Sequence, residues 1–166
     1  MALHKAKVYV LARSDGKARD AIQRMKHIDS TLQIEYVHLD LSRLESVELA
    51  VEQILKVEEK IDILVCNAGV VAIEQEYTID GVETNFQINY LGIFDVQKWS
   101  NNSGHFYLIR ALLPCIKRAK EGRIVLISSD SHRLYPTNDM TFDKLESVNK
   151  RRCFLQRYGT NNSIHE

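Results

Sequence analysis

The sequence predicts an α/β fold with a parallel sheet, and three observations lead to this class. Four short apolar runs, rich in Val, Ile and Leu, have the composition of buried strands. Longer segments with apolar residues three or four positions apart separate these runs, as in amphipathic helices. Strands that alternate with helices form βαβ units, and right-handed crossovers then produce a doubly wound, Rossmann-like layer.

Each element has its own justification. The apolar runs place the strands at residues 7–11, 33–37, 61–65 and 123–127. A first helix is predicted over residues 15–28, capped by Ser14 or Asp15, because one apolar stripe runs along it: Ala18, Ala21, Ile22, Met25 and Ile28. Ser42 is the predicted cap of a second helix, whose inward residues are Leu44, Val47, Val51, Ile54 and Leu55. Further helices are predicted over residues 80–91 and 105–119.

Composition excludes several classes of protein. The 166 residues suffice for one domain, and 22 basic against 22 acidic residues leave no global positive field for nucleic acid or anionic membranes. No apolar run approaches the length of a transmembrane helix, and the first residues lack the apolar core of a signal peptide. Three scattered cysteines, Cys66, Cys115 and Cys153, suit reduced thiols in the cytoplasm better than disulfides or a metal site.

The segment that follows the third strand is a candidate ligand site. Asn67, Ala68 and Gly69 place nearly bare backbone at the carboxyl end of a buried strand, where open α/β sheets bind ligands. Small side chains allow a flat ligand to approach the main chain, and Gly69 permits backbone angles closed to other residues. An ordinary loop is the alternative interpretation of these three residues.

Five segments in order resemble the short-chain dehydrogenase/reductase family, within the branch of retinol dehydrogenases and the WW-domain-containing oxidoreductase. They are Asp40-Leu41 after the second strand, Cys-Asn-Ala-Gly at 66–69, the helix sequence at 78–92, the strand with two serines at 123–129, and Ser-Asp-Ser-His-Arg at 129–133. The resemblance covers roughly residues 5–135. It implies an oxidoreductase that transfers a hydride between a nicotinamide cofactor and a carbonyl or alcohol.

The resemblance also assigns catalytic roles. Ser129 would polarise the substrate oxygen, with Ser128 as the competing assignment, and Tyr158 would exchange the alcohol proton. Asn89 would support a water molecule that relays protons, unless it is simply an amide on a helix surface.

For the cofactor, the resemblance implies contacts from two strand ends. These residues are Asp40, Leu41, Asn67, Ala68 and Gly69, with the Asp-hydrophobic pair at the adenine ring. Arg13 follows the first strand, where the adenosine ribose lies, and an arginine there suits the 2′-phosphate of NADP. Lys17 adds a second charge one turn into the helix. The predicted cofactor is therefore NADP, with NAD as the alternative. If these two basic residues bind no cofactor, they belong to a solvated basic surface.

The chain departs from the family pattern at its start. The glycine-rich Thr-Gly-x-x-x-Gly-x-Gly turn is absent, and residues 1–5 align with the helix that follows it. The strand before that turn is central in the 3-2-1-4 order, so the strands at 7–11 and 61–65 are expected to lack their shared neighbour. The predicted fold is thus a partial Rossmann-like sheet without its first, central strand and without its C-terminal strands.

Two further departures affect activity. Residues 93–104 interrupt the helix sequence and are interpreted as an insert, which retained non-coding sequence explains better than a functional loop. The expected Tyr-x-x-x-Lys reads Tyr158-Gly-Thr-Asn-Asn162, and a neutral amide cannot replace an ammonium. Residues 136–166 are expected to form a poorly ordered tail.

Residues 1–166 are therefore interpreted as one incomplete dinucleotide-binding domain, from a fragment or a faulty gene model. The complete protein is expected to act on a lipophilic alcohol or carbonyl, such as a retinoid or steroid, in the cytoplasm or associated with a membrane. The printed chain is expected to be inactive. In the alternative interpretation it is a non-catalytic short isoform that binds the full-length protein or another copy of itself through exposed strand edges.

Overall fold

A computed structural model describes residues 1–71, 77–79, 81, 84–89 and 104–128 of the chain. After a short 3₁₀ turn, the strands are β1 (Val8–Ala12), β2 (Ile34–His38), β3 (Ile63–Cys66) and β4 (Arg123–Leu126). The helices are α1 (Asp15–Ile28), α2 (Leu44–Leu55), α3 (Thr84–Asn89) and α4 (Gly104–Arg118). The alternation of strands and helices confirms the α/β class.

The strands form two separate parallel pairs rather than one continuous sheet. β1 pairs with β2 from Val8–Ile34 to Ala12–His38, and β3 pairs with β4 from Ile63–Arg123 to Cys66–Leu126. Among the described strands, nothing pairs with the second edge of β1 or of β3. This confirms the expectation that these two strands lack a shared neighbour.

Helices cover both faces of the first pair, as in a doubly wound fold. Alternate residues of β1 point to opposite faces, so Val8 and Val10 pack with Ile22 of α1, while Tyr9 and Leu11 pack against the larger core. That core also includes residues of α2, α4 and β3, chiefly Val47, Val51, Leu64, Leu108 and Leu112. One helical layer therefore spans both strand pairs.

A polar contact also joins the two strand pairs. Glu58, between α2 and β3, accepts hydrogen bonds from Lys7 Nζ at 2.7 Å and from Tyr9 Oη at 2.6 Å. These bonds lower the pKa of the Glu58 carboxyl and raise that of the Lys7 ammonium. The free edge of β1 is thus held near the segment that leads into β3.

The helix boundaries agree with the sequence prediction where local signals act. α1 covers the predicted residues, and Ser14 is its cap, since its hydroxyl accepts a 3.5 Å hydrogen bond from the Lys17 amide. The predicted Ser42 cap was wrong: α2 follows Arg43, and the Ser42 hydroxyl instead donates to the Asp40 carboxylate at 2.6 Å.

The apolar stripes were also predicted too long. Ile28 and Leu55 are 76% and 43% exposed, because each lies in the last turn of its helix, beyond the edge of the core. Of the predicted helix at 80–91, the structure describes Thr84–Asn89 as α3. The insert at 93–104, apart from Gly104 at the start of α4, and the tail at 136–166 lie outside the described residues.

Candidate dinucleotide site at the carboxyl edge

The ends of β1 and β2 form the first part of the candidate site. The Ala12 carbonyl accepts hydrogen bonds from the Leu39 amide at 3.1 Å and from the Tyr36 hydroxyl at 3.0 Å. These bonds hold the point where the chain turns from β1 toward Arg13. Arg13 is exposed at this edge, as is Lys17 in the first turn of α1. Both predicted cations therefore lie in or next to the β1–α1 turn with their side chains accessible to solvent.

Asp40 and Leu41 form a tight turn after β2. The Asp40 amide donates to Ser46 Oγ at 2.9 Å, and Asp40 Oδ1 accepts from the Ser42 amide at 3.0 Å. Leu41 is buried in the core. The described hydrogen bonds to the carboxylate all reach Oδ1, and no described donor contacts Oδ2. Three hydrogen bonds therefore hold the turn, and within the described residues they leave Oδ2 without a donor.

The loop after β3 contains the predicted Asn67, Ala68 and Gly69, and all three are exposed. Positive φ angles in the described residues occur only at Lys5 and Gly81. Gly69 therefore does not use the wider range of backbone angles that glycine permits. A Cβ at Gly69 would lie 3.4 Å from Asn89 Oδ1, an ordinary contact distance. Of the predicted features of this loop, the exposure of its backbone is therefore the one that the structure shows.

Asn89, at the end of α3, holds this loop in place. Its Oδ1 accepts from the Val70 amide at 2.7 Å, and its Nδ2 donates to the Val70 carbonyl at 2.6 Å. The amide group thus forms two bonds with one backbone residue, much as a neighbouring strand would. The structure places Asn89 beside the predicted Asn-Ala-Gly loop, and its predicted role with a water molecule stays a prediction.

Burial shapes the chemistry of Cys66, directly before the loop. Its side chain is 4% exposed, and burial raises the pKa of the thiol to about 11. A protonated, buried thiol is neither a nucleophile nor a good metal ligand. The described residues also contain no group of three His, Cys, Asp or Glu side chains that could hold a metal ion.

The predicted catalytic residues are only partly covered by the structure. Ser129 and Tyr158 lie outside the described residues. Ser128, the competing assignment, is exposed just after β4. The preceding Ile127 amide donates to the Cys66 carbonyl at 3.0 Å, so this serine emerges beside the end of β3.

Sequence reasoning missed one residue of this edge, Gln87. It is fully buried in α3, and its Nε2 donates to the Leu41 carbonyl at 3.3 Å. A glutamine among the apolar residues of a predicted helix was the available signal, because a buried amide requires partners. α3 therefore contacts both strand ends: Gln87 bonds the turn after β2, and Asn89 bonds the loop after β3.

The comparisons with known proteins agree with this arrangement. A family model for short chain dehydrogenases matches residues 1–140. The chain belongs to the short-chain dehydrogenase family, which confirms the predicted resemblance.

Similar curated proteins come from the branch that the motifs indicated. The WW domain-containing oxidoreductase of Pongo abelii is 35% identical over 138 residues, covering 83% of this chain and 30% of that protein. Retinol dehydrogenase 12 of Mus musculus is 31% identical over 159 residues, covering 96% of this chain and 45% of that protein. The chain thus spans less than half the length of these curated relatives.

Solved structures show the same fold. The crystal structure of an uncharacterized protein from Mycobacterium paratuberculosis matches with a TM-score of 0.69 and 26% identity, covering 97% of this chain and 50% of that one. An alcohol dehydrogenase from Thermococcus sibiricus, solved with 5-hydroxy-NADP, matches with a TM-score of 0.61 at 19% identity. This match covers 93% of this chain and 54% of the alcohol dehydrogenase, and at this identity it supports the fold alone. No helix within the described residues is both long and apolar enough to cross a membrane.

Proposed function

We propose that this chain carries the adenosine-binding part of an NADP-dependent short-chain dehydrogenase whose substrates are lipophilic alcohols or carbonyls. The observation that carries the proposal is the joint attachment of two strand-end segments to one short helix. Gln87 and Asn89 of α3 bond the Asp40-Leu41 turn and the loop after Gly69. Partly exposed backbone at the carboxyl edge of a parallel sheet is the setting in which α/β proteins bind nucleotides.

The residues at this edge fit the adenosine half of the cofactor. Asp40 Oδ2 is the acceptor for the adenine amino group, and the buried Leu41 supports the turn that presents it. Arg13 and Lys17 provide positive charge for a 2′-phosphate, since arginine forms strong bidentate bonds with phosphate oxygens. The exposed loop at Asn67 is proposed to lie along the ribose and nicotinamide side.

The proposed chemistry is hydride transfer, for which the bound nicotinamide supplies or accepts the hydride. In the proposed site Ser129 holds the substrate oxygen and Tyr158 exchanges its proton. Asn162 stands four residues after Tyr158, where the family pattern has lysine. A neutral amide provides no positive charge to stabilise the phenolate, so we propose that the printed chain lacks activity.

Nucleotide titrations test the binding proposal without relying on turnover. Adenosine 2′,5′-bisphosphate and AMP are titrated into the chain, and amide chemical shifts are followed by NMR. We expect both to bind, with the 2′-phosphate favoured, and Arg13→Ala to reduce that preference about tenfold, in line with one charge-assisted phosphate contact. Arg24→Ala is the matched control, because Arg24 is exposed farther along α1. Failure of both nucleotides to bind would refute the proposal.

The retinoid part of the proposal rests on the relatives named retinol dehydrogenase, such as the murine protein. It needs a chain extended to the relatives' full length and carrying Lys at position 162. Reduction of all-trans-retinal with NADPH by that protein, and none by the printed chain, is the expected result. Equal activity of the printed chain would refute the proposed inactivity.

A second candidate function is the binding of a longer copy of the same protein, and the separate strand pairs favour it. The second edges of β1 and β3 have no partner among the described strands, and free strand edges accept an added strand. The test mixes the chain with the full-length protein and measures hydrogen exchange. Protection of β1 and β3 amides on mixing supports pairing, and unchanged exchange excludes it.

A further inference from the structure

Helix α3 is unusual because polar side chains occupy buried positions on both of its sides. Asn85 and Gln87 are fully buried, and Asn89 bonds the backbone of Val70. Side chains two positions apart on a helix are rotated by about 200° around its axis, so they point in nearly opposite directions. Gln87 and Asn89 therefore reach different segments, one on each side of the same short helix.

Both ends of the Gln87 amide are occupied. Nε2 donates to the Leu41 carbonyl at 3.3 Å, and Oε1 accepts a hydrogen bond from the Thr78 hydroxyl. A buried amide that lost either partner would leave a polar atom unpaired at considerable cost. The pairing thus determines which way the amide points, and it directs the NH₂ group at the Leu41 carbonyl.

The Leu41 carbonyl belongs to the turn that presents the Asp40 carboxylate. Ser46 fixes the backbone amide of Asp40, and Ser42 fixes one carboxylate oxygen, both from the α2 side of the turn. Gln87 is the contact from the opposite side, 46 positions away in the sequence. The Asp40-Leu41 turn is therefore held by a bond from α3 as well as by local bonds.

We propose that Gln87 is a positioning residue that sets the Asp40-Leu41 turn for the adenine ring and joins it, through α3, to the loop held by Asn89. The inference rests on the proposed function, because it assigns Gln87 to the adenine side of that nucleotide site. Arg13 determines the response to the 2′-phosphate, whereas Gln87 affects every adenine nucleotide alike.

Substitutions at both ends of the bond test this role. Gln87→Glu keeps the acceptor for Thr78 but sets a carboxylate oxygen against the Leu41 carbonyl. We expect it to weaken AMP and adenosine 2′,5′-bisphosphate equally, by about tenfold, as for one lost buried hydrogen bond. Thr78→Val removes the hydroxyl that orients the amide, and we expect about threefold weaker binding of both nucleotides.

Val51→Ala is the control for a purely structural effect. Val51 lies in α2 and is 6% exposed in the core, so its truncation destabilises the fold without removing a hydrogen bond of the turn. Urea unfolding shows which variants are folded under the titration conditions, and Gln87→Met replaces Gln87→Glu if the latter does not fold. We expect Val51→Ala to bind both nucleotides within about twofold of the unmodified chain, since an apolar side chain forms no hydrogen bond to the turn.

The outcomes separate the two proposals. If the unmodified chain binds neither nucleotide, the proposed function fails and this inference fails with it. If the unmodified chain binds and the Gln87 and Thr78 variants bind equally well, only the role of Gln87 is refuted. A loss confined to adenosine 2′,5′-bisphosphate would also refute it, because that pattern belongs to Arg13.

Discussion

Replacement of Asn89 by alanine is the sharpest test of how the candidate site is held together. The substitution removes both bonds between its amide and Val70, of 2.7 and 2.6 Å. The backbone N–H and C=O of Val70, a half-buried residue, would then lose these partners. The loop that contains Asn67, Ala68 and Gly69 would lose its attachment to α3.

The magnitude follows from the two lost bonds. A typical intramolecular hydrogen bond contributes about 0.5–1.5 kcal/mol net, so the pair contributes about 1–3 kcal/mol. This energy acts chiefly on local opening of the loop, because both bonds end at a single residue. Since about 1.4 kcal/mol corresponds to a factor of ten, exchange of the Val70 amide should accelerate at least about fivefold.

Amide hydrogen exchange by NMR measures this effect residue by residue. Asn89→Asp separates the two bonds, because it keeps an acceptor for the Val70 amide but sets an oxygen against the Val70 carbonyl. We expect its exchange rate to lie nearer to that of Asn89→Ala than to the unmodified chain. Asn67→Ala is the control on the same loop, and its exposed side chain should leave Val70 exchange unchanged.

Unaltered Val70 exchange in Asn89→Ala would refute the reasoning. So would equal acceleration of amides throughout β1 and β2, since that pattern means global destabilisation rather than release of one loop. The nucleotide titrations then show whether the released loop matters for binding.

Three further predictions concern stability and reactivity. A Cβ at Gly122 would lie 2.2 Å from a backbone oxygen of α4, so Gly122→Ala should lower the free energy of unfolding in urea by about 1–3 kcal/mol; Gly16→Ala, with nothing within 4 Å, should not. Because the Lys7 ammonium lowers the pKa of Glu58, this bond stabilises the fold above the unfolded pKa and ceases to do so as pH falls through the folded value. Glu58→Gln should therefore lower the urea midpoint at about pH 7, and by progressively less as the pH falls below the ordinary pKa of glutamate; a loss that does not change with pH would contradict the pairing. Since burial raises the pKa of Cys66 to about 11, iodoacetamide should label it slowly in the native chain and rapidly in urea, as mass spectrometry would detect; rapid native labelling would show that the thiol is accessible.

Much of the fold could be predicted because local signals and periodicity act within a few residues. The α1 stripe and its Ser14 cap placed that helix at its observed bounds. The four apolar runs lie within about two residues of the observed strands, the usual precision of such boundaries. Where the prediction was wrong, as for Ile28, Leu55 and the Ser42 cap, the outcome depended on where the core ended or on a competing hydrogen bond.

The candidate site was predictable only in part. Arg13 and the Asn-Ala-Gly loop were found because they directly follow strands, and strand ends of a parallel sheet meet at one edge. Asp40 was assigned from the family resemblance. The partners that hold these segments were not predictable, because a side-chain amide can bond almost any backbone group within reach. Ser129 and Tyr158 rest on the family pattern alone.

The sequence by itself determined the α/β class, the family, and the separation of the strands into two pairs. The class follows from apolar periodicity, the family from five motifs in the expected order, and the two pairs from the family's strand order. Only the tertiary structure decided what α3 does: its two amides bond backbone groups 46 and 19 positions away. No local pattern encodes such contacts, because they depend on how the packed core brings distant turns to the same helix.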